Sequence, residues 1–525
     1  MAQLLDYHRR EAKPAWWRYF ERLEADEERL TEVDNEALGR LSDAGIEPVP
    51  VPPPARSLIY TLQFPPQEHK ISAGNFIDPA TERGVTVESI DNATGTLRIS
   101  RATKRAGEPL PRALIPGGPY DTRVQRAALR RLAGDIVERG LDDEGSYSAL
   151  RQVLRRALPL TSACSRGEAL QEDAFDLEDA KRIAEGLDDS CLFIQGPPGS
   201  GKTYTGAHLI LHLIAQGHRV GVAAGSHAAI HNLLREVEQY APPGEPFAGL
   251  KRCGADGSNS YESERGLIES SNEIADFAGG DHNLVAGTAW LFCREEMDDT
   301  LDYLFIDEAG QISLADAIAM GTCVRNLILL GDPQQLAQVG QSIHPPGAGV
   351  SVLEQLLGED TTIPPERGLF IDETRRMHPD VCRFISAAIY EDRLESFADC
   401  ANQRVDAPGE LTGTGIRYVP VVHEGNTRES SEEAETIKGL VEDLLKGQYF
   451  QMDGTSGAIS PEEIMVVAPY NAQVSCLREH LPDGVKVGTV DKFQGQEAAV
   501  CFSRWRRQAG RRSPGIWSSC SAGTG

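Results

Sequence analysis

In its 525 residues the sequence has no apolar run approaching the about 18 residues that cross a bilayer. Its opening, MAQLLDYHRREAKPAWW, has no apolar signal-peptide region either. The expectation is a chain that is neither secreted nor membrane-bound, located in the cytoplasm, with no membrane partner. Ten cysteines lie scattered without a C-x-x-C pair or a His/Cys cluster, which argues against a disulfide framework and a structural zinc site. No repeat of about 20–50 residues recurs, so the chain is not a solenoid. Basic residues are scarce: 52 Lys and Arg face 79 Asp and Glu, for a formal net charge of −27. That balance argues against a surface that is basic all over. It leaves room for a local basic path, because phosphate contacts need Lys and Arg only along a strand's track.

What is present begins with IQGPPGSGKTYTG, Ile194 to Gly206, between an apolar run and a helix-like stretch. The segment fits G-x-x-x-x-G-K-[ST], in which glycines let backbone N–H groups face phosphate oxygens, the lysine reaches the β/γ-phosphates and the hydroxyl ligates Mg²⁺. The nucleotide-binding residues expected are Gly196, Pro197, Pro198, Gly199, Ser200, Gly201, Lys202, Thr203 and Tyr204. A second signal is YLFIDEAGQ, an apolar strand ending in Asp307-Glu308. One carboxylate suits Mg²⁺ and the next suits polarising a water. LILLGDPQQL ends another strand, and Asp332 and Gln335 are placed to sense a γ-phosphate.

Length allows about three or four domains of roughly 100–200 residues. Residues 1–47 read as helices, with Trp16, Trp17, Phe20 and Leu23 at helical spacing and a solvated acidic run after them. PVPVPPPA then reads as a stiff connector. Residues 48–121 hold short β-prone runs separated by turn signals, which suggests a small antiparallel barrel. Its basic edge, Arg98, Arg101, Lys104 and Arg105, suits either a phosphate backbone or a solvated rim. Residues 122–165 read as helices that could form a stalk with those ahead of the barrel. From about Leu177 strand-like runs alternate with helices, the pattern of parallel sheets with crossover helices. The fold class expected is α/β with two RecA-like parallel-sheet P-loop domains, 166–345 and an incomplete 346–500, behind the helical stalk and small antiparallel barrel.

GPPGSGKT, SHAAIHNLL, GTAW, FIDEAGQ, GDPQQL, TRRMHP, VVAPYNAQV and VDKFQGQE follow one another from about Leu177 to Ala499. In order and spacing they resemble the motifs of superfamily 1 helicases, in the branch that includes the nonsense-mediated decay helicase. DYHRREAKPAWW and the P-loop block resemble the helicase part of RecB-like nuclease and helicase fusions. The resemblance implies ATP with Mg²⁺ as cofactors, single-stranded DNA or RNA as partner, and a nuclease domain or subunit as a further partner. It also implies roles by position. Lys202 and Thr203 hold phosphates and Mg²⁺, Asp307 binds Mg²⁺ and Glu308 is the general base. Gln335 contacts the γ-phosphate, and Arg376 reaches that phosphate from the second domain. Gly495 and Glu497 face the nucleotide, while Ser226, Asn232 and Thr288 contact the nucleic-acid backbone.

The sequence also departs from that pattern. Where the family has a glutamine that reads adenine, Asp179, Ala180 and Lys181 stand, and Arg375 stands where the family has an aromatic residue. From about Cys501 the composition turns to Arg, Ser, Trp and Gly, and the closing arginine-bearing motif is missing. Permitted codons for SRWRRQAGRRSPGIWSSCSAGTG, read one nucleotide out of phase, yield SMATSSGEEIPRDLEFLFSRNR, which resembles the family's continuation. Residues 501–525 are therefore expected to be an out-of-frame tail, and the motor to be impaired or inactive. Two rival functions stay open at this point: a P-loop phosphotransferase on a small molecule, and a nucleotide- or nucleic-acid-binding module without turnover.

Overall fold

The structure is a computed structural model that describes residues 1–51, 56–143, 145–244, 247–336, 338–422, 426, 429–493 and 496–504. The chain divides into two compact units: Asp6–Thr122 with Gly340–His344 form the smaller, and the rest forms the larger.

The smaller unit starts with the helix Tyr7–Glu24 and a short one, Glu27–Glu32, capped by the Asp26 carboxylate on the Arg29 N–H. On the first helix the expected aromatic stripe turns outward. Trp16 and Phe20 stack at 5.5 Å and both stay exposed, as does Trp17. Helix ends before Ala37, earlier than the expected boundary at 47, because Leu38 bridges to Leu114 and the chain continues as strand. Six antiparallel strands follow: β1 Ser42–Asp43, β2 Val49–Pro50, β3 Ser57–Gln63, β4 Gly74–Asp78, β5 Arg83–Asp91 and β6 Thr96–Ala102, in the order β1-β3-β6-β5-β4 with β2 beside β3. Part of the expected connector thus belongs to this sheet; residues 52–55 lie outside the described ones.

Alternation sets which face is buried. Val85, Val87, Leu97 and Ile99 point inward onto Leu38, Leu62 and Leu114. The bridges Leu38 to Leu114 and Ile77 to Ile115 draw the sheet's two edges toward one segment, giving a small barrel. Two residues of the expected basic edge are spent inside this unit. Arg101 is buried and donates to the carbonyls of Glu108 and Pro109, and Arg105 pairs with Glu108 at 2.9 Å.

The larger unit is built on eight parallel strands: β7 Cys191–Gln195, β8 Val220–Ala223, β9 Gly249–Arg252, β10 Ile268–Ser271, β11 Leu284–Gly287, β12 Leu301–Ile306, β13 Val324–Gly331 and β14 Gly368–Phe370. Their order is β10-β9-β11-β8-β12-β13-β7-β14. Central strands such as CLFIQ and VGVA are buried throughout, as a sheet covered by helices on both faces demands. Each such apolar side chain contributes about 1.5–3 kcal/mol by leaving water. The register aligns Ala223 with Ile306 and Gly287, and Gly331 with Gln195, so these strands end along one edge. Strand β14 returns to this first sheet, although the expected boundary at 345 puts it in the second domain. Gly368 allows the return, because a side chain there would collide with the Phe193 carbonyl.

Further on, Lys486–Gly488, Ile464–Val467 and Val500–Ser503 form a second parallel sheet with Ile464–Val467 in the middle. Helices Ser431–Leu444 and Asn471–His480 cover it through Val441, Leu444, Val466 and Leu477. The first residues of the expected out-of-frame tail, 501–525, lie in this sheet. Cys501 to Ser503 make the third strand, and Arg504 is held by Glu433 and by the Gln473 side-chain oxygen at 3.2 Å. Residues 505–525, the rest of the expected out-of-frame tail, lie outside the described residues.

Candidate active site

The aligned carboxyl ends of the first sheet carry the expected site residues. After β7 the chain turns through Gly199 (φ +72°) and Gly201 (φ +83°), left-handed positions that suit glycine, into the helix Lys202–Ala215. The Gly196 N–H donates to the Gly331 carbonyl at 3.0 Å, which ties the loop's start to the end of β13. Lys202 Nζ donates to the Gly196 carbonyl at 2.7 Å, so the ammonium lies across the loop's mouth. Ser200 N–H donates to the Pro197 carbonyl, while the Ser200 hydroxyl oxygen is buried with no hydrogen-bond partner among the described residues. An unused buried hydroxyl in a glycine loop fits a phosphate-sized acceptor there. Thr203 stands in the first helical turn, and Tyr204 is exposed with its ring 4.0 Å from that of His208.

Asp307 follows β12, is buried, and accepts from the Glu308 N–H at 2.9 Å. Burial, then the adjacent Glu308 charge, push its carboxyl up to about 7, with Lys202 opposing. Glu308 itself has φ +52°, a left-handed backbone that is strained for a non-glycine residue. The strain has a packing cause next door: a side chain at Gly310 would meet the Asp332 carbonyl at 2.8 Å, and one at Gly331 would meet the Ala309 nitrogen at 2.9 Å. The turn after β12 therefore lies directly on the end of β13.

At that end the buried Asp332 accepts from Gln335 Nε2 at 3.1 Å, so the amide expected to face a γ-phosphate is turned onto this carboxylate. The Thr374–Arg376 segment reaches the loop from another direction. Thr374 Oγ1 donates to the Pro198 carbonyl at 2.9 Å and the Arg375 N–H donates to the Gly199 carbonyl at 2.9 Å. Arg376 Nε lies 2.8 Å from Glu497 Oε2, which brings two of the expected residues together. Gly495 lies outside the described residues. Arg375 covers the Phe397 ring with its guanidinium at 4.4 Å.

Ser226 and Thr288 follow the neighbouring strands β8 and β11. Ser226 Oγ accepts from the Ala229 N–H as the cap of helix His227–Tyr240. That leaves its own O–H to donate outward. Asn232, exposed farther along this helix, accepts from Arg235 at 3.1 Å. At the expected adenine-reading position Ala180 is buried, Asp179 pairs with Arg182 and Lys181 with Glu178.

Sequence reasoning missed Gln195, Thr374 and Tyr390. Gln195 left one signal, a polar residue closing a fully apolar strand. It is buried, accepts from the Ile363 N–H at 2.7 Å and donates to Asp332 at 3.3 Å. Among the described residues no three His, Cys, Asp or Glu side chains gather as a metal cage. No helix among them is long and apolar enough to cross a membrane.

A phosphate-binding loop at the carboxyl edge of a parallel sheet, with an acidic pair two strands away, defines a P-loop nucleotide-binding protein. Two family models, both described as an AAA domain, match residues 179–345 and 348–520. The DNA polymerase alpha-associated DNA helicase A of Schizosaccharomyces pombe is 25% identical over 373 residues, 59% of this chain and 55% of that protein. The DNA replication ATP-dependent helicase/nuclease of Arabidopsis thaliana is 25% identical over 345 residues, 60% of this chain and 24% of that protein. An arterivirus helicase solved with DNA aligns over 85% of this chain and 76% of its own at 13% identity, with a TM-score of 0.37. The chain thus carries two successive AAA-domain matches and is similar to these helicases. It spans about half or less of the length of these curated relatives.

Proposed function

We propose that this chain is an ATP-dependent motor on single-stranded DNA or RNA, hydrolysing ATP where the Thr374–Arg376 segment meets the P-loop. One observation carries the reading: the loop that would hold the phosphates is hydrogen-bonded at Pro198 and Gly199 to the segment bearing Arg376. A change at the phosphates then moves that segment, which is what coupling hydrolysis to movement requires. In this reading Lys202 leaves the Gly196 carbonyl for the β/γ-phosphates and Glu308 takes the proton of the attacking water. Gln335 and Arg376 receive the γ-phosphate. Thr203 and Asp307 would hold Mg²⁺, which supplies charge neutralisation at the phosphates. Glu497 competes for Arg376 until nucleotide arrives.

Ser226, Asn232 and Thr288 would line the strand's path beside β8 and β11, with the cytoplasm as location. A nuclease partner is supported by the printed names of relatives such as the Arabidopsis helicase/nuclease. The domains proposed are helices and barrel to about 121, a helical segment to 165, a first RecA-like domain and a second one. The boundary between the last two is proposed at 345, where the two AAA-domain matches divide, with β14 returning to the first sheet.

Glu308→Gln and Lys202→Ala test the roles together. The first keeps shape and loses the base, so nucleotide binding survives while turnover falls about a hundredfold or more. The second loses charge at the phosphates and weakens binding as well as turnover. Equal loss of binding in both variants would contradict the assignment of Glu308 as base.

A further inference from the structure

Tyr390 lies outside every motif considered so far, yet it is fully buried and its hydroxyl donates to Asp332 Oδ2 at 2.7 Å. The same Oδ2 accepts from Gln335 Nε2 at 3.1 Å, and Oδ1 accepts from the Gln334 N–H and Gln195 Nε2. One carboxylate therefore gathers Gln195 before the P-loop, the Gln335 amide and Tyr390. Burial, then the Asp332 charge, hold the phenol well above its ordinary range, so it remains a donor at any working pH.

The position of Tyr390 is itself built. It follows the helix Pro379–Ile389, whose first residue stands three positions after Arg376. Behind it Glu391 and Asp392 both adopt left-handed backbone (φ +56° and +61°). Glu391 is pinned by the Thr361 and Thr362 hydroxyls, and Arg393 donates to the Ile363 carbonyl at 2.8 Å. Gln195 receives the Ile363 N–H, and Gln334 donates to the Thr361 carbonyl. The helix is thus held at both ends against nucleotide-facing elements: by Thr374 and Arg375 on the P-loop, and by Tyr390 on Asp332.

On this geometry we infer that Tyr390 is a positioning residue for γ-phosphate recognition, holding Asp332 satisfied so that Gln335 can release it and turn to the nucleotide. The inference rests on the motor reading above. When Gln335 leaves, Oδ2 keeps one donor only because the phenol is there, and a buried carboxylate that loses its donors is costly. Without the phenol Asp332 retains Gln335, so binding of a triphosphate suffers and binding of a diphosphate does not.

The test uses the full chain and needs no turnover. The ratio of affinities for a non-hydrolysable ATP analogue and for ADP, both with Mg²⁺, is measured in the parent, Tyr390→Phe, Gln335→Ala and the double variant. Tyr390→Phe is expected to lower that ratio about tenfold with ADP affinity unchanged, and to have no further effect in the Gln335→Ala background. Tyr390→Met, which fills the space without a donor, serves if the phenylalanine chain does not fold. Equal loss of both affinities, or an effect that persists without Gln335, marks a merely structural role and overturns the inference. An unchanged ratio overturns it as well. A parent that binds neither nucleotide would instead overturn the motor reading.

Discussion

Replacing Gly199 by alanine should uncouple the P-loop from the Arg376 segment while leaving the fold in place. At φ +72° alanine pays about 1 kcal/mol in the left-handed region. Its methyl would also press on Arg376 Cβ and stand 2.8 Å from Thr374 Oγ1, so the segment must back away. Backing away breaks two hydrogen bonds, Arg375 N–H to the Gly199 carbonyl and Thr374 Oγ1 to the Pro198 carbonyl, worth about 1 kcal/mol each. The total, about 3 kcal/mol, corresponds to roughly a hundredfold in kcat/KM for ATP. The loop lies at the sheet's edge, so thermal unfolding should shift by only a few degrees. Steady-state hydrolysis and a melting curve on the same preparation give both numbers. Turnover within twofold of the parent at an unchanged melting temperature would refute the reasoning, because the loop and the segment would then not be packed together during catalysis.

Two more outcomes follow from charge. His227 accepts from the buried Lys251 ammonium at 3.0 Å, and burial, then that ammonium, hold its imidazole down to about 4. Between about 4 and the unfolded value of about 6.5 the unfolded chain takes up a proton that the folded chain refuses, so stability should fall as pH drops through that window. His227→Gln should flatten this acid limb in melting curves from pH 7 to pH 4, and an unaltered slope would remove His227 as its source. Affinity for single strands should fall steeply with salt despite the formal charge of −27, since phosphate contacts release counterions. A salt-independent affinity, read by fluorescence anisotropy between about 50 and 200 mM salt, would mean the proposed path is absent.

The alternation of apolar runs with helices, and the spacing from the P-loop to Asp307 and Asp332, made the parallel sheet and its loaded edge legible in the sequence. That follows from the geometry of parallel strands, whose carboxyl ends share one side. Strand β14 was not legible, because three residues, Gly-Leu-Phe, carry no period and only the open edge of β7 selects them. Tyr390 escaped for the opposite reason. It reads as one more apolar residue at the end of a helix, and its partner Asp332 lies 58 positions away. Arg101 looked like part of a basic rim, yet inward alternation in β6 buries it against two carbonyls that sequence cannot show. Trp16 and Phe20 kept their helical spacing, but spacing does not say which face meets the core; they pair with each other instead.

The most direct test of the motor reading is ATP hydrolysis by the 525-residue chain with and without a single-stranded oligonucleotide, beside Lys202→Ala as control. The account predicts turnover that is slow, for want of the closing arginine motif, yet rises on adding the strand and disappears in Lys202→Ala. Turnover indifferent to the strand, or undiminished in Lys202→Ala, would contradict it.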